Sequence, residues 1–191
     1  MGTITPQTSR LQLSRRTLLG AGVGSLGLLI LRPARTALPT AETTGVRRLT
    51  VENLHTGERL AADYWTDGTY EPEALQAIAK VLRDHRTIDT HLMNTGLLDT
   101  LSRLQKRLEV TKPFNVISGY RSPATNAKLA AASNGVARKS LHMEGMAIDI
   151  RMPGVDLKHL HSAAKSLGAG GVGYYAASNF VHVDVGRVRY W

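Results

Sequence analysis

Along this chain the spacing of apolar positions changes several times, and each change marks an element. Arg48 to Leu54 and Arg59 to Trp65 are strand-like runs in which Leu49, Val51 and Leu60 sit among polar residues. His55-Thr56-Gly57-Glu58 between them reads as the turn of a hairpin. The period then lengthens. Leu75, Ile78, Ala79 and Leu82 recur at helical spacing and predict an amphipathic helix from Glu71 to His85. Leu97, Leu98, Leu101, Leu104 and Leu108 predict a second helix, with Asn94 or Thr95 as its cap. Both leucine stripes are core faces. Pro113 closes that pattern, and Phe114 to Ser118 reads as a short buried strand. Ser122-Pro123 has the chemistry of an N-cap and first helical residue, opening a helix toward Ser133. Asp156 caps another, whose Leu157, Leu160, Ala164 and Leu167 face inward and which Gly168 stops. Gly170 to Tyr175 and Phe180 to Val185 form a last hairpin, and neither an internal repeat nor a heptad seam is visible.

Composition adds an appendage to this picture. The chain has 191 residues, enough for one domain with a substantial core, and no cysteine, so disulfides and thiolate metal sites are excluded. The formal charge is +9, but residues 1–37 hold five arginines and no acid; without them nineteen basic side chains face fifteen acidic ones. That mild balance suits an anionic polymer such as a cell wall. No basic stripe with interleaved aromatics points to nucleic acid. Ser14-Arg15-Arg16-Thr17-Leu18-Leu19 leads into a glycine-studded apolar run ending at Leu31, the pattern of a twin-arginine export signal. The run from Leu18 is shorter than the roughly 17–25 residues that span a bilayer. It therefore reads as the core of a signal peptide, and not as a permanent span. An uncleaved anchor competes with this reading, because Arg35 and Pro39 spoil the small-residue pattern before Ala37 and Ala41. The expected organisation is a twin-arginine signal peptide over 1–37, a flexible lead-in over 38–46 and a folded domain over 47–191, exported as a monomer to the periplasm or cell envelope.

The chemistry lies near the end. His142 precedes Asp149 by seven positions with Gly145 and Ala147 between, and Phe180-Val181-His182-Val183-Asp184 follows. In a strand, Asp149 takes the face opposite Ile148 and Ile150, while His182 and Asp184 share a face opposite Val181 and Val183. Two imidazoles and a carboxylate, each in a strand-like or turn setting, can form the open three-ligand site of a catalytic zinc, with one position left for water; ordinary core or surface histidines are the plain alternative for His142 and His182. The other histidines carry less. His159 and His161 lie two apart on a helix and point to different sides, and His55, His85 and His91 fall in a turn, a helix end and a loop.

The segments Ser118-Gly119-Tyr120-Arg121-Ser122, Ser140-Leu141-His142 through Asp149, Gly170-Gly171-Val172-Gly173-Tyr174-Tyr175 and Asn179 through Gly186 resemble the M15-type zinc peptidases. More narrowly, they resemble the MepK group of murein endopeptidases, and the likeness runs from about Arg48 to Trp191, taking in Asn53 to Glu58 and the closing Arg189-Tyr190-Trp191. The resemblance implies an α+β fold: a small antiparallel sheet with flanking helices, akin to D-Ala-D-Ala metallopeptidases and the hedgehog signalling domain. It implies zinc as cofactor, His142, Asp149 and His182 as its ligands, and peptidoglycan stem peptides as the partner.

Around the ligands, Arg121 follows a strand end and a glycine, so its guanidinium is placed to meet a substrate carboxylate or a developing oxyanion. A surface ion pair is the plain alternative. Ser118 and Ser140 suit turns and hydrogen bonds around the ligands. Relatives in the wider family carry an acid three residues before the last zinc histidine, or a histidine two before; here those positions are Asn179 and Phe180. Asp184 is then the best carboxylate for proton transfer, with orientation of His182 as its equal alternative, and Glu144 ranks below it. Gly170 to Gly173 is nearly bare of side chains, which suggests a backbone against which an extended peptide lies. Hydrolysis of cross-links between stems is the leading function. A D,D-carboxypeptidase and a non-catalytic, zinc-bearing wall-binding domain are the others, the last favoured by Asn179.

Overall fold

The computed structural model describes residues 44–133 and 135–191, so the expected signal peptide and residues 38–43 of the lead-in lie outside the described residues. The expected first hairpin is β1 (Val46–Asn53) and β2 (Arg59–Thr66), paired antiparallel from Val46–Thr66 to Glu52–Arg59. A short β3 (Thr69–Tyr70) folds back on β2. The remaining strands are β4 (Phe114–Ser118), β5 (Ala147–Arg151), β6 (Gly171–Tyr175), β7 (Phe180–Asp184) and β8 (Arg189–Tyr190). All eight join one sheet in the order β3-β2-β1-β4-β5-β7-β6-β8. The α+β class holds, with a larger and more mixed sheet than the small antiparallel one expected. β1 with β4 and β6 with β8 are parallel pairs.

The four helices match those expected, three from apolar spacing and one from Ser122-Pro123, and the caps of the last three are those the sequence suggests. Asn94 accepts from the Gly96 N–H at the start of α2 (Thr95–Arg107). Ser122 accepts from Thr125 before α3 (Pro123–Ala132), and Asp156 from Lys158 and His159 before α4 (Leu157–Ser166). Helix α1 covers Pro72–Val81 and stops short of His85. The Leu82 carbonyl receives the Tyr120 N–H at 2.8 Å, and the Asp84 carboxylate receives the N–H groups of Ser122 and Arg86 at 2.9 Å each. Tertiary partners thus claim the backbone where propensity would have carried the helix on.

The leucine stripes are core. Leu97, Leu98, Leu101 and Leu104 are fully buried together with Leu49, Ile78, Phe114, Ile148, Ile150 and Leu160. Each such side chain contributes about 1.5–3 kcal/mol relative to exposure. Helix α4 packs on β6 and β7 and α2 on β1. Ile148, Ile150, Val181 and Val183 are buried on that face, so alternation sends Asp149 and His182 to the other. Register completes the placement. Ser118 pairs with Asp149, Asp149 with His182, and His182 with Gly173, one row of residues crossing β4, β5, β7 and β6.

Candidate metal centre and cleft

His142 reaches that row from outside the sheet. It rides on a 3-10 turn, Leu141–Glu144, whose cap Ser140 accepts from the His142 N–H. The turn is closed by Gly145 at φ 64, where a Cβ would also stand 2.9 Å from His91 Nδ1, so no other residue ends the turn without strain. Ser118 serves Arg121 by accepting from its Nη2 at 3.3 Å.

Three potential ligand atoms converge. His142 Nε2 lies 3.3 Å from His182 Nδ1 and 3.3 Å from Asp149 Oδ1, and His182 Nδ1 lies 2.8 Å from Asp149 Oδ1. Ligands about 2.0–2.1 Å from a tetrahedral zinc stand about 3.4 Å apart, so a small inward-facing set of this size fits the ion with minor spreading. Among the described residues, these three are the group of metal-ligating side chains whose atoms gather within 4.8 Å. Both imidazoles have their other nitrogen engaged. His142 Nδ1–H donates to the Gly119 carbonyl at 2.7 Å, and His182 Nε2–H to Asp184 Oδ2 at 3.0 Å. Each hydrogen bond selects the tautomer that turns a lone pair toward the centre.

Electrostatics follow from burial. Burial alone would raise the Asp149 carboxyl, but His142 and His182 beside it outweigh that and hold it well below the usual carboxylate range. Burial pulls His182 down, yet hydrogen bonds to Asp149 and Asp184 leave it raised above an ordinary histidine. Arg121 is 9% exposed. Its Nη2 lies 3.5 Å from Asp149 Oδ2 and its Nη1 3.4 Å from Asn126 Oδ1. Burial lowers its pKa, opposed by the charge of Asp149, but a guanidinium stays protonated throughout the physiological range. Arg121 thus lines the same cleft as the three ligands, rather than pairing at the surface.

The Asp184 carboxylate is fully buried and committed on every side. Beyond His182 it accepts from the Gly171 and Gly186 N–H groups at 2.9 Å each and from both terminal nitrogens of Arg189. Burial raises its pKa, and these donors more than reverse that, leaving it depressed. Glu144 is exposed and Asn179 occupies the left-handed turn of the β6–β7 hairpin at φ 53. Neither lines the cleft, and among the described residues Asp149 is the single carboxylate that does.

The sequence of this chain decides its kinship independently of that geometry. A family model for the peptidoglycan L,D-endopeptidase MepK, of the M15 peptidases, matches residues 41–191. This chain belongs to the MepK family. It is 44% identical over 178 residues to the peptidoglycan L,D-endopeptidase MepK of Escherichia coli, covering 93% of this chain and 97% of the relative, and the Shigella flexneri protein matches equally. The probable peptidoglycan L,D-endopeptidase MepK of Haemophilus influenzae is 40% identical over 179 residues, covering 93% and 95%.

Within this MepK-family domain the glycine run serves a different end from the one its bareness suggests. β6 is paired on both sides, with β7 and β8, so it presents no open edge to a peptide. A Cβ on Gly171 would meet the Asp184 carboxylate and stand 2.5 Å from Arg189 Nη1; one on Gly173 would stand 2.6 Å from the Trp191 indole. The glycines make room for the chain's own closing segment. Trp191 covers Gly173, sits with its ring 5.3 Å from that of His182, and donates from Nε1 to the Tyr175 hydroxyl at 2.9 Å. Arg189, Tyr175 and Trp191 are cleft residues to which the sequence motifs assign no role; the one signal for them is complementary bulk, Gly171 and Gly173 two apart matching Arg189 and Trp191 two apart. Of the other histidines, His55 stacks on His85 at 3.8 Å, His91 on Tyr120 at 5.0 Å, and His161 lies 5.2 Å from Tyr174.

Proposed function

We propose that this chain is an exported, zinc-dependent murein endopeptidase that hydrolyses peptide cross-links between stems of bacterial peptidoglycan. The observation that carries the reading is the triad itself. His142 Nε2, Asp149 Oδ1 and His182 Nδ1 face one another within 3.3 Å, and each imidazole's second nitrogen is already bonded. Zinc held by these three residues would supply Lewis acidity toward water and toward an amide carbonyl.

The remaining chemistry belongs to the chain. Arg121 holds a permanent positive charge beside Asp149, placed to neutralise the oxygen of a carbonyl under attack or a neighbouring stem carboxylate. Asp184, with five donors around it, orients His182 and is a poor acceptor for a further proton; of its two roles, orientation is the one its surroundings support. Trp191, Phe180 and Tyr175 form an aromatic wall of the cleft, which shields the reacting amide from bulk water. Relatives named peptidoglycan L,D-endopeptidases support an L,D peptide bond as the target, which suits the link between two diaminopimelate residues better than a D-Ala–diaminopimelate link. Residues 1–37 then act as the twin-arginine address that carries the domain to the periplasm. No helix of the described residues is long and apolar enough to cross a membrane.

One observation favours a second reading. Among the described residues no carboxylate besides Asp149 lines the cleft, which suits a zinc-bearing module that binds wall peptides without cutting them. Incubation of the zinc-loaded protein with purified cross-linked dimers separates the possibilities. Monomeric muropeptides, formed until a chelator is added, support the endopeptidase. Free D-Ala from monomers with dimers untouched indicates a carboxypeptidase, and binding without products indicates the module. His142→Ala and His182→Ala should lose both zinc and turnover while remaining folded, because the helical core lies on the opposite face of the sheet.

A further inference from the structure

We propose that Arg189, on the closing strand β8, is a positioning residue for the metal centre: by fixing Asp184 it fixes the His182 imidazole, and so sets how tightly the site holds zinc. The inference rests on the zinc reading above and concerns a residue that touches no ligand atom itself.

A carboxylate that accepts one hydrogen bond from an imidazole controls the ring only if its own plane is fixed, because the terminal torsion of aspartate is broad. Arg189 fixes it. Nη2 donates to Asp184 Oδ2 at 2.7 Å and Nη1 to Oδ1 at 3.1 Å, a two-pronged contact in which the planar fork and the carboxylate must lie together. The oxygen that meets Nη2 is the same one that receives His182 Nε2–H. The Gly171 and Gly186 N–H groups hold only Oδ1, so they cannot by themselves aim Oδ2 at the ring.

Arg189 is itself held. β8 runs parallel to β6 with Arg189 opposite Gly171, and the missing side chain at Gly171 leaves the space its guanidinium crosses. Nη1 also donates to the Arg187 carbonyl at 2.9 Å, and the guanidinium lies 4.9 Å from the centroid of the Trp191 ring. This is unlike an exposed ion pair, which contributes little. Asp184 has no exposed surface, and a buried carboxylate deprived of its cation must reorganise. The reorganisation has one obvious outlet, the His182 ring.

Zinc affinity, measured by competition with a chromogenic chelator, tests the proposal without relying on turnover. Arg189→Ala should bind zinc about 10–100-fold more weakly than wild type, the usual cost of losing a partner that orients a metal-ligating histidine. Arg189→Lys, which keeps the charge but not the fork, should fall between them and carries the test if the alanine variant does not fold. With zinc in excess both variants should regain most of their turnover, since the loss is one of metal occupancy. Asp184→Asn combined with Arg189→Ala should bind zinc no more weakly than the weaker single variant, since both act through one contact. Unaltered zinc affinity in Arg189→Ala and Arg189→Lys, whether KM rises or not, would overturn the proposal. A wild-type protein that takes up no zinc would instead remove the metal reading on which it stands.

Discussion

Replacing Gly173 by alanine should strike the cleft wall while sparing the metal. The added Cβ would stand 2.6, 2.7 and 2.8 Å from Cε2, Nε1 and Cζ2 of the Trp191 indole. The ring must retreat by about 1 Å to regain an ordinary carbon separation of about 3.5 Å. It is tethered as it does so, with Nε1 bonded to the Tyr175 hydroxyl at 2.9 Å and its backbone N–H to Val172 at 3.3 Å. Overpacking of this kind costs about 1–3 kcal/mol and the lost indole bond about 0.5–1.5 kcal/mol. Trp191 is 47% exposed, so its ring can yield outward, which places the total near the lower end, at about 2 kcal/mol. For a chain of this size that lowers the melting temperature by about 4–8 °C. Turnover of cross-linked dimers should fall mainly through KM, with zinc affinity changed far less, because the Arg189 fork on Asp184 and its bond to the Arg187 carbonyl remain. Gly171→Ala should do the reverse, since its Cβ meets the Asp184 carboxylate and Arg189 and so loosens zinc. Thermal melts, chelator competition and dimer kinetics on the two variants make the comparison. Wild-type melting and wild-type KM in Gly173→Ala would show that Trp191 does not need the glycine and that the wall it forms is not used.

Three further outcomes are expected. Arg121→Ala should lose about 10²–10³ in kcat while keeping its zinc, and Arg121→Lys should recover little of it; near-normal kinetics with zinc content confirmed by metal analysis would remove Arg121 from the reaction. Asp84, 2% exposed, is pushed up by burial but held depressed by hydrogen bonds from Thr125, Arg86 and Ser122. Its stabilisation is therefore complete above the unfolded carboxylate value of about 3.9 and is lost as pH falls through the lower folded value. Asp84→Asn should cost about 1–3 kcal/mol in denaturant unfolding at pH 7 and progressively less below about pH 3, and an equal cost at both would contradict the depressed pKa. Changing Arg15 and Arg16 together to lysine should leave the protein in the cytoplasm on fractionation, and normal export of that variant would favour a general secretory signal.

What the sequence determined by itself was local, or tied to a repeat of two or three to four residues. Asn94, Ser122 and Asp156 announced their helices because a cap acts on N–H groups two or three positions away. The period of two in Ala147 to Asp149 and in Val181 to Asp184 put Asp149 and His182 on faces opposite the apolar residues, and the resemblance to zinc peptidases joined His142 to them. The tertiary structure decided everything that depends on which strand lies beside which. It set the row Ser118, Asp149, His182 and Gly173 across four strands, ended α1 early at a carbonyl claimed by Tyr120, and buried Asp184 under donors from three separate segments. It also reversed the meaning of the glycines. In sequence, Gly171 and Gly173 are simply bare; only the parallel pairing of β8 with β6 shows that Arg189 and Trp191 fill the space above them. That pairing joins residues 18 positions apart with a whole strand folded between them, and no local period or propensity encodes it.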